Sequence, residues 1–446
     1  MQARLGRGGM AAGGPGALKS LGLLVLMFGA MQWRRFKWNR AALWMIFAVW
    51  FMRMGQQARK RWTLAFGVVM LAMDRLYAKK LAGESAEKAQ SKRRLINKHR
   101  RKTGTMPPPF PNTWYWVCNS DDVHVGKVIP MSVFGREIAI FRGEDGNVGV
   151  LDAFCPHLGT HLGYGGVVKD NCLTCPYHSW KFNANGKCEE IPYCTTTIEK
   201  YSQIDSKAYE VREILGMVYV WYDVDWKPPA FELDALNHMQ DWTLVRESGK
   251  YTWDMHIQEP AQNSADYYHF LTTHYSFPYS GGLVNCIHKT ESEYPKEEGR
   301  RHVVTLTEHV VDFKVLGMSI PAWVREPLQP KPSVTFFGPS ILLFNITYDN
   351  YKVVTVMNYT PVEDLKQLTV AKTFIGDTSI PHVLKPLGLF FHNMACGTVE
   401  QDRQVWEHKA HCKPMRLVRG DGQFVQFSNW LQQFYSKNSE KIDLTW

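Results

Sequence analysis

The stretch that decides the fold is CPHLGTHLGYGG at Cys155–Gly166, answered by CPYHSWKF at Cys175–Phe182. Each half opens on a cysteine and reaches a histidine within three residues, Cys155 with His157 and Cys175 with His178. Two thiolates and two imidazoles on paired short loops can hold one tetrahedral zinc ion or an iron–sulfur cluster. A lone CxH or CxxH is a common accident. Two of them, each followed by turn-forming residues (Leu158-Gly159 and Ser179-Trp180), point to one site. His161 falls outside the spacing and reads as a neighbouring or surface histidine.

The surroundings of these loops are rich in β signals. Ser132–Phe141 reads as a strand, Glu144-Asp145-Gly146-Asn147 as a turn and Val148–Phe154 as the next strand. Asn185-Gly186 is a hairpin turn, because both residues tolerate positive φ, and Met217–Tyr222 is a further strand. After Trp226 the character changes. EPAQNSADYYHFLTT at Glu259–Thr273 predicts a helix, and Asp266, His269 and His274 follow the pattern D-x2-H-x4-H. Two imidazoles can then converge on one ion from a helix and its exit loop. A non-haem Fe(II) oxygenase needs two His and one carboxylate on one face of the metal. Histidine pairs on aromatic helices are more often structural, and it is the cysteine–histidine loops upstream that favour a second metal here.

Taken together, the loops resemble the Rieske fingerprint, and residues 112–440 are similar to the Rieske non-haem iron oxygenases. The resemblance implies a [2Fe-2S] cluster with Cys155 and Cys175 on one iron and His157 and His178 on the other. It implies a mononuclear Fe(II) on His269 and His274. The third ligand it implies is Asp402, in the late segment Glu400–Trp406, with Glu400 as the fallback. Read alone, that segment is an ordinary solvated helix start. Asp266 takes the family's role of electron bridge, linking His178 of one chain to His269 of its neighbour in a head-to-tail homotrimer. Asn263 and Glu259 are further candidates for supporting the iron site. Respiratory Rieske proteins carry an extra cysteine in each loop. Those positions here are Thr160 and Ser179-Trp180, which resembles the oxygenase type.

Within this family the N-terminal apolar segment, CPHLGTHLG and EQD-x2-VW are most similar to the Neverland cholesterol 7-desaturases, although EPAQNSADYYHF departs from the usual segment before the iron histidines. The implied reaction is O2-dependent introduction of the 7,8 double bond of cholesterol, giving 7-dehydrocholesterol. Electrons pass from NAD(P)H through a separate reductase, since no GxGxxG follows a strand in this chain. The rival readings are a Rieske steroid or pigment hydroxylase and, from another class, a membrane-bound Rieske electron carrier that needs only the first motif.

The 446 residues exceed one ordinary core. Their net charge of +10 is uneven: residues 1–105 hold 22 Lys/Arg against 3 Asp/Glu, and the remainder is acidic. A basic arm on an acidic body suits an anionic membrane face, and nucleic acid is not expected as a partner. Nine cysteines, an odd number, make a poor disulfide framework and indicate a reducing compartment. Ser20–Trp33, Ala41–Met52 and Trp62–Met73 are free of charged residues but shorter than a spanning helix. Their flanking cations and Trp33, Trp38, Trp44 and Trp50 favour membrane association, the alternatives being buried helices of a soluble core or a mitochondrial transit segment. Pro107-Pro108-Pro109 ends the basic stretch that follows. The expected organisation is α+β: membrane-anchoring helices at 1–78, a basic linker at 79–111, a β-rich Rieske domain at 112–225, and a catalytic domain at 226–446. The resemblance implies that this last domain is a helix-grip (START-like) fold with an antiparallel sheet. It also implies placement in the endoplasmic reticulum membrane, with the catalytic body facing the cytosol.

Overall fold

A computed structural model describes residues 107–439, except 277, 279–283, 298–300, 316, 322–330, 349–350 and 410–414. The expected membrane segment 1–78 and the linker up to residue 106 lie outside the described residues. Among the described residues no helix is long and apolar enough to cross a membrane.

The first half is built from ten strands: β1 Thr113–Asn119, β2 Val128–Val133, β3 Arg136–Arg142, β4 Val148–Asp152, β5 Val167–Lys169, β6 Cys172–Thr174, β7 Lys181–Phe182, β8 Cys188–Glu190, β9 Val211–Ile214 and β10 Met217–Tyr222. They form three antiparallel sheets, ordered β1-β10-β9, β2-β3-β4 and β5-β6-β7-β8. The run expected as one strand over Ser132–Phe141 is broken. Phe134 and Gly135, at φ 39° and 70°, turn the chain between β2 and β3. Phe134 tolerates this conformation because its ring is buried and stacked on Tyr115, with ring centroids 5.6 Å apart. The turn expected at Asn185-Gly186 is present between β7 and β8. Only Gly186 of the pair takes positive φ, at 81°, and a Cβ there would meet the Ser206 carbonyl oxygen at 2.1 Å.

The second half holds the α1 turn at Asp234–Asn237, β11 Thr243–Glu247, β12 Tyr251–Trp253, α2 Gln258–Gln262, α3 His269–Thr272, β13 Val284–Glu293, β14 Val303–Val315 and β15 Met318–Ser319. After these come β16 Lys331–Phe337, β17 Ile341–Tyr348, β18 Tyr351–Glu363, β19 Lys366–Gly376, α4 Pro381–Trp406 and α5 Phe424–Gln432. Its strands make one antiparallel sheet ordered β11-β19-β18-β17-β16-β14-β13, with β12 beside β19 and β15 beside β14. The long helix α4 lies against β11, β18 and β19, the helix-on-sheet arrangement that was expected.

Strand alternation sorts the core. Val304, Leu306, Val334, Phe336, Leu342, Met357 and Tyr359 face Ala261, Ala265, Phe270, Val399 and Trp406 from the helical layer. Their neighbours Val303, Phe337, Ile341, Leu343, Val354 and Val356 face the other way, onto Trp114, Trp116, Tyr219 and Trp221 of the first half. Polar contacts fix this second interface. Ser340 Oγ donates to the Trp114 carbonyl at 2.5 Å, and Tyr219 donates to Asn358 Oδ1 at 2.9 Å. The sheet is therefore one wall shared by two layers, and His269, His274 and Asp402 lie on its helical side.

Candidate metal centres

The two cysteine–histidine loops are near-copies of one backbone design. Cys155 N–H donates to the Thr160 carbonyl (2.9 Å), and Gly159 N–H returns to the Cys155 carbonyl (2.9 Å). Likewise Cys175 N–H donates to the Trp180 carbonyl (2.8 Å), and Ser179 N–H returns to the Cys175 carbonyl (3.1 Å). The fourth residue after each cysteine takes positive φ: Gly159 at 73° and Ser179 at 58°. Each loop thus closes tightly on its own cysteine.

Cys155 and Cys175 are buried, and the rings of His157 and His178 lie 4.7 Å apart, edge to face. Trp180 stacks on His157 at 4.7 Å and donates its Nε1–H to Tyr193 at 2.8 Å, which holds that ring in place. Burial pushes the Cys155 thiol up to about 12; the His157 N–H opposes the shift and the neighbouring Cys175 adds to it. Two buried sulfurs side by side need a cation before both can ionise. His178 Nδ1 is buried with no hydrogen-bond partner among the described residues. A pair of thiolates, a pair of imidazoles and an orphaned ring nitrogen suit a [2Fe-2S] cluster of the mixed-ligand kind. His161 stands apart, as expected. Its Nδ1 accepts the Gly163 N–H, and its Nε2 lies 3.5 Å from Glu137.

At the second centre the structure corrects the sequence reading locally. Glu259–Thr273 is not one helix. α2 gives way to a 3-10 turn at Asn263–Ala265, and Asp266 at φ −102°, ψ 95° breaks the run before α3. The cause is Asp266 itself. Its Oδ1 accepts the N–H groups of Tyr268 and His269 at 3.1 and 3.2 Å, a local turn that competes with helix. Its main-chain oxygen lies 2.5 Å from His269 Nδ1, so the ring is held through that nitrogen. The other nitrogen is then free to ligate.

His269, His274 and Asp402 bring ligating atoms within 4.8 Å of one another. The two imidazole centroids are 5.1 Å apart, and His274 Nε2 lies 3.1 Å from Asp402 Oδ1. His274 and Asp402 are buried, and His269 is half-buried. Asp402 is not at a solvated helix start. It sits in the last turns of α4, on the inward face with Val399 and Trp406. Glu400 faces away and pairs with Arg403, Oε2 to Nε at 2.8 Å. Asn263 and Glu259 brace the site: Trp406 Nε1–H donates to Asn263 Oδ1 at 3.3 Å, and Lys409 Nζ lies 2.5 Å from Glu259. Both tie the α2 segment to the end of α4.

Sequence reasoning missed Gln401. Its Oε1 lies 3.1 Å from His274 Nδ1 and its Nε2 donates to the Ser276 carbonyl at 3.0 Å. The second bond fixes the amide orientation, so His274 Nδ1 carries the hydrogen and Nε2 faces Asp402. Only its place beside Asp402 in the chain could have hinted at this. Outer-shell partners of this kind are worth about 10–100-fold in metal affinity. Gln401→Leu is expected to weaken ferrous iron binding by about that factor, read by competition with a chelator. Unchanged affinity would leave Gln401 a packing residue.

The charges favour metal binding with a pH cost. Burial lowers the His269 pKa, with Asp402 opposing the shift, so that ring is neutral and able to ligate. Burial also pulls on His274, but the Asp402 carboxylate and the hydrogen bonds to Asp402 and Gln401 raise it overall. Below that raised pKa, a metal ion held there would have to displace a proton from His274. We expect ferrous iron affinity to fall as pH drops below the raised His274 pKa, with proton release on binding, measurable by titration calorimetry in buffers of different ionisation enthalpy. In the iron-free protein the sign reverses. The His274–Asp402 pair stabilises fully below the free-histidine value of about 6.5, and this is lost as pH rises through the folded-state pKa.

Both halves of the chain match known domain families. Residues 113–206 match the Rieske [2Fe-2S] domain, and residues 220–435 match the 3-ketosteroid 9alpha-hydroxylase C-terminal domain. A cholesterol 7-desaturase of Hemicentrotus pulcherrimus is 31% identical over 79% of this chain and 76% of its own length. The cholesterol 7-desaturase of Caenorhabditis elegans is 30% identical over 77% of this chain and 81% of its own. The oxygenase component of a 3-ketosteroid-9-alpha-monooxygenase from Mycolicibacterium smegmatis is 26% identical over 75% and 84%. Among solved structures, dicamba monooxygenase superposes with a TM-score of 0.54 at 16% identity, over 74% of this chain and 98% of its own, a likeness of fold.

Proposed function

The chain belongs to the Rieske non-haem iron oxygenase family, and from that premise we propose that it desaturates a sterol, converting cholesterol to 7-dehydrocholesterol. As a family member it is an oxidoreductase that works with a Rieske [2Fe-2S] cluster, a mononuclear iron and O2. The observation that carries the proposal is the convergence of His269, His274 and Asp402 beside an apolar wall of the sheet, in a chain that also presents the paired cluster loops. An electron carrier would have no use for that second convergence. The names of the relatives at 30% and 31% identity support the 7,8 double bond as the product. The ketosteroid-type match of residues 220–435 supports steroid hydroxylation as the second reading.

In this reading Cys155, His157, Cys175 and His178 hold the cluster, and His269, His274 and Asp402 hold the iron. When bound, the cluster supplies single electrons and the iron supplies activation of O2. The protein's own share is positional. Asp266 and Gln401 fix the two imidazoles through their Nδ1 atoms, leaving Nε2 for the metal. Leu306, Phe336 and Met357 of the sheet are buried in the apolar cluster that also holds Phe270 and Val399, the chain neighbours of this iron-binding set. NAD(P)H acts through a separate reductase.

Asp266 is the proposed electron bridge between subunits of a homotrimer. Support comes from two exposed apolar rims: Leu158, Tyr164 and Tyr177 round the cluster loops, and Tyr268 and Leu271 beside His269. A monomer in sedimentation at working concentration would count against it. The segment 1–78 is the proposed anchor in the endoplasmic reticulum membrane, with the body in the cytosol; partition of the full chain into the soluble fraction would refute this. The decisive assay supplies cholesterol, NADPH and a Rieske-type reductase. 7-Dehydrocholesterol is expected, and a hydroxylated sterol without a new double bond would favour the second reading.

A further inference from the structure

One polar patch on the sheet is unused by either centre. β13 is hooked to the iron-bearing segment at both ends. Cys286 N–H donates to the Tyr275 carbonyl at 2.8 Å, just after His274, and Ser292 Oγ donates to the Ser264 carbonyl, ahead of Asp266. The helix α3, which begins with His269, packs against the strand between these hooks. Along that span Lys289 and Glu291 point to solvent, while Thr290 between them is 6% exposed. Strand alternation therefore turns Thr290 toward α3. The Thr290 hydroxyl is buried and has no hydrogen-bond partner among the described residues. Leaving such a group unpaired is costly, so a ligand or water is expected to satisfy it.

Directly opposite Thr290 in the β13–β14 register stands Glu308. Two and four residues before it, Leu306 and Val304 lie in the core cluster that also holds Phe270 and Val399. Glu308 shares their face of β14 and is half-buried. Its carboxyl is pushed up to about 7, first by burial; His274 pulls it back, and the Asp402 carboxylate adds to the shift. Glu308 also acts on the buried Cys286 thiol. These mutual influences put the carboxyl within electrostatic reach of the His274–Asp402 pair.

We propose that Thr290 and Glu308 form a polar subsite on the sheet wall opposite the iron ligands, which binds the hydroxyl group of a sterol alcohol and fixes which ring carbon faces the metal. The proposal rests on the sterol reading given above. A hydroxyl both donates and accepts, so it can accept from Thr290 Oγ1 and donate to Glu308. A ketone offers only acceptors: it satisfies Thr290, and it pairs with Glu308 only when that carboxyl carries its proton. The pair therefore selects the alcohol over the ketone, on an otherwise apolar surface where a few placed polar groups set orientation.

The test compares a sterol alcohol, its 3-ketone and the hydrocarbon lacking oxygen as substrates of the reconstituted full-length enzyme. Iron content and the visible spectrum of the cluster are checked for every variant. Thr290→Val is expected to raise the KM of the alcohol on the order of tenfold relative to the hydrocarbon, and Thr290→Ser to restore it. Glu308→Gln is expected to narrow the alcohol-to-ketone preference by a similar factor. Equal changes for alcohol and hydrocarbon, or no change, overturn the subsite. A wild-type enzyme, loaded with both centres, that consumes none of the three overturns the sterol reading and the subsite with it.

Discussion

Replacing His274 by Ala abolishes the mononuclear iron and takes turnover to background, while the visible absorption of the cluster stays as in the wild type. Three ligating atoms within 4.8 Å become two, and the survivor beside Asp402 is the half-buried His269 alone. The loss exceeds the ~10–100-fold expected when only an outer partner such as Gln401 is removed, because a facial site with one imidazole and one carboxylate no longer encloses the ion. The substitution also strands Asp402, 6% exposed, without its partner at 3.1 Å, so a modest loss of thermal stability accompanies it. Asp402→Asn is the companion variant. It keeps the side-chain shape and removes the charge that raises His274. Iron analysis, cluster absorption and product formation separate the outcomes. Loss of both centres in His274→Ala would make this histidine a structural residue and would undo the iron assignment.

The second large effect comes from Cys175→Ser. The cluster absorption and acid-labile sulfide should vanish, and turnover driven by a reductase should stop, while ferrous iron still binds at His269, His274 and Asp402. The two sets share no residue, which is why the losses separate. Stability should fall as well. Cys155 and Cys175 belong to the buried cluster with Leu162, Leu173, Trp180 and Phe182, so binding free energy of the metal group is also folding free energy for this part. A lower melting temperature is therefore expected alongside the spectral loss. Retention of the wild-type spectrum would sink the assignment of Cys175. Zinc without acid-labile sulfide in the wild-type protein would replace the cluster by a zinc site altogether.

The contrast between the two centres explains what could be read from the chain. The cluster loops are local. Each is closed by hydrogen bonds spanning four or five residues and by one positive-φ position, Gly159 or Ser179, so residue type and spacing in CPHLGT and CPYHSW define the site. The hairpin at Gly186 was legible for the same reason. The split of Ser132–Phe141 was not, since Phe134 holds positive φ only because Tyr115 and the surrounding core bury its ring. The helix expected over Glu259–Thr273 failed at Asp266, whose carboxylate prefers the N–H groups of Tyr268 and His269 to a solvated helical position.

By itself, then, the sequence offered the four cysteine and histidine candidates of the paired loops, the second pair of histidines and a β-rich first half, while the helix-on-sheet second half came through resemblance. Asp402 it offered only through resemblance, and Gln401 not at all. These residues come from the far end of a 26-residue helix, and Gln401 stands 127 residues from the histidine it orients. Nothing local to EQDRQVW selects Asp402 over Glu400. That choice is made when α4 packs its Val399, Asp402 and Trp406 face toward the sheet and leaves Glu400 to Arg403. The opposition of Thr290 and Glu308 likewise exists only through the pairing of β13 with β14. Short-range hydrogen bonds fix the first centre, and burial of apolar surface across distant elements fixes the second.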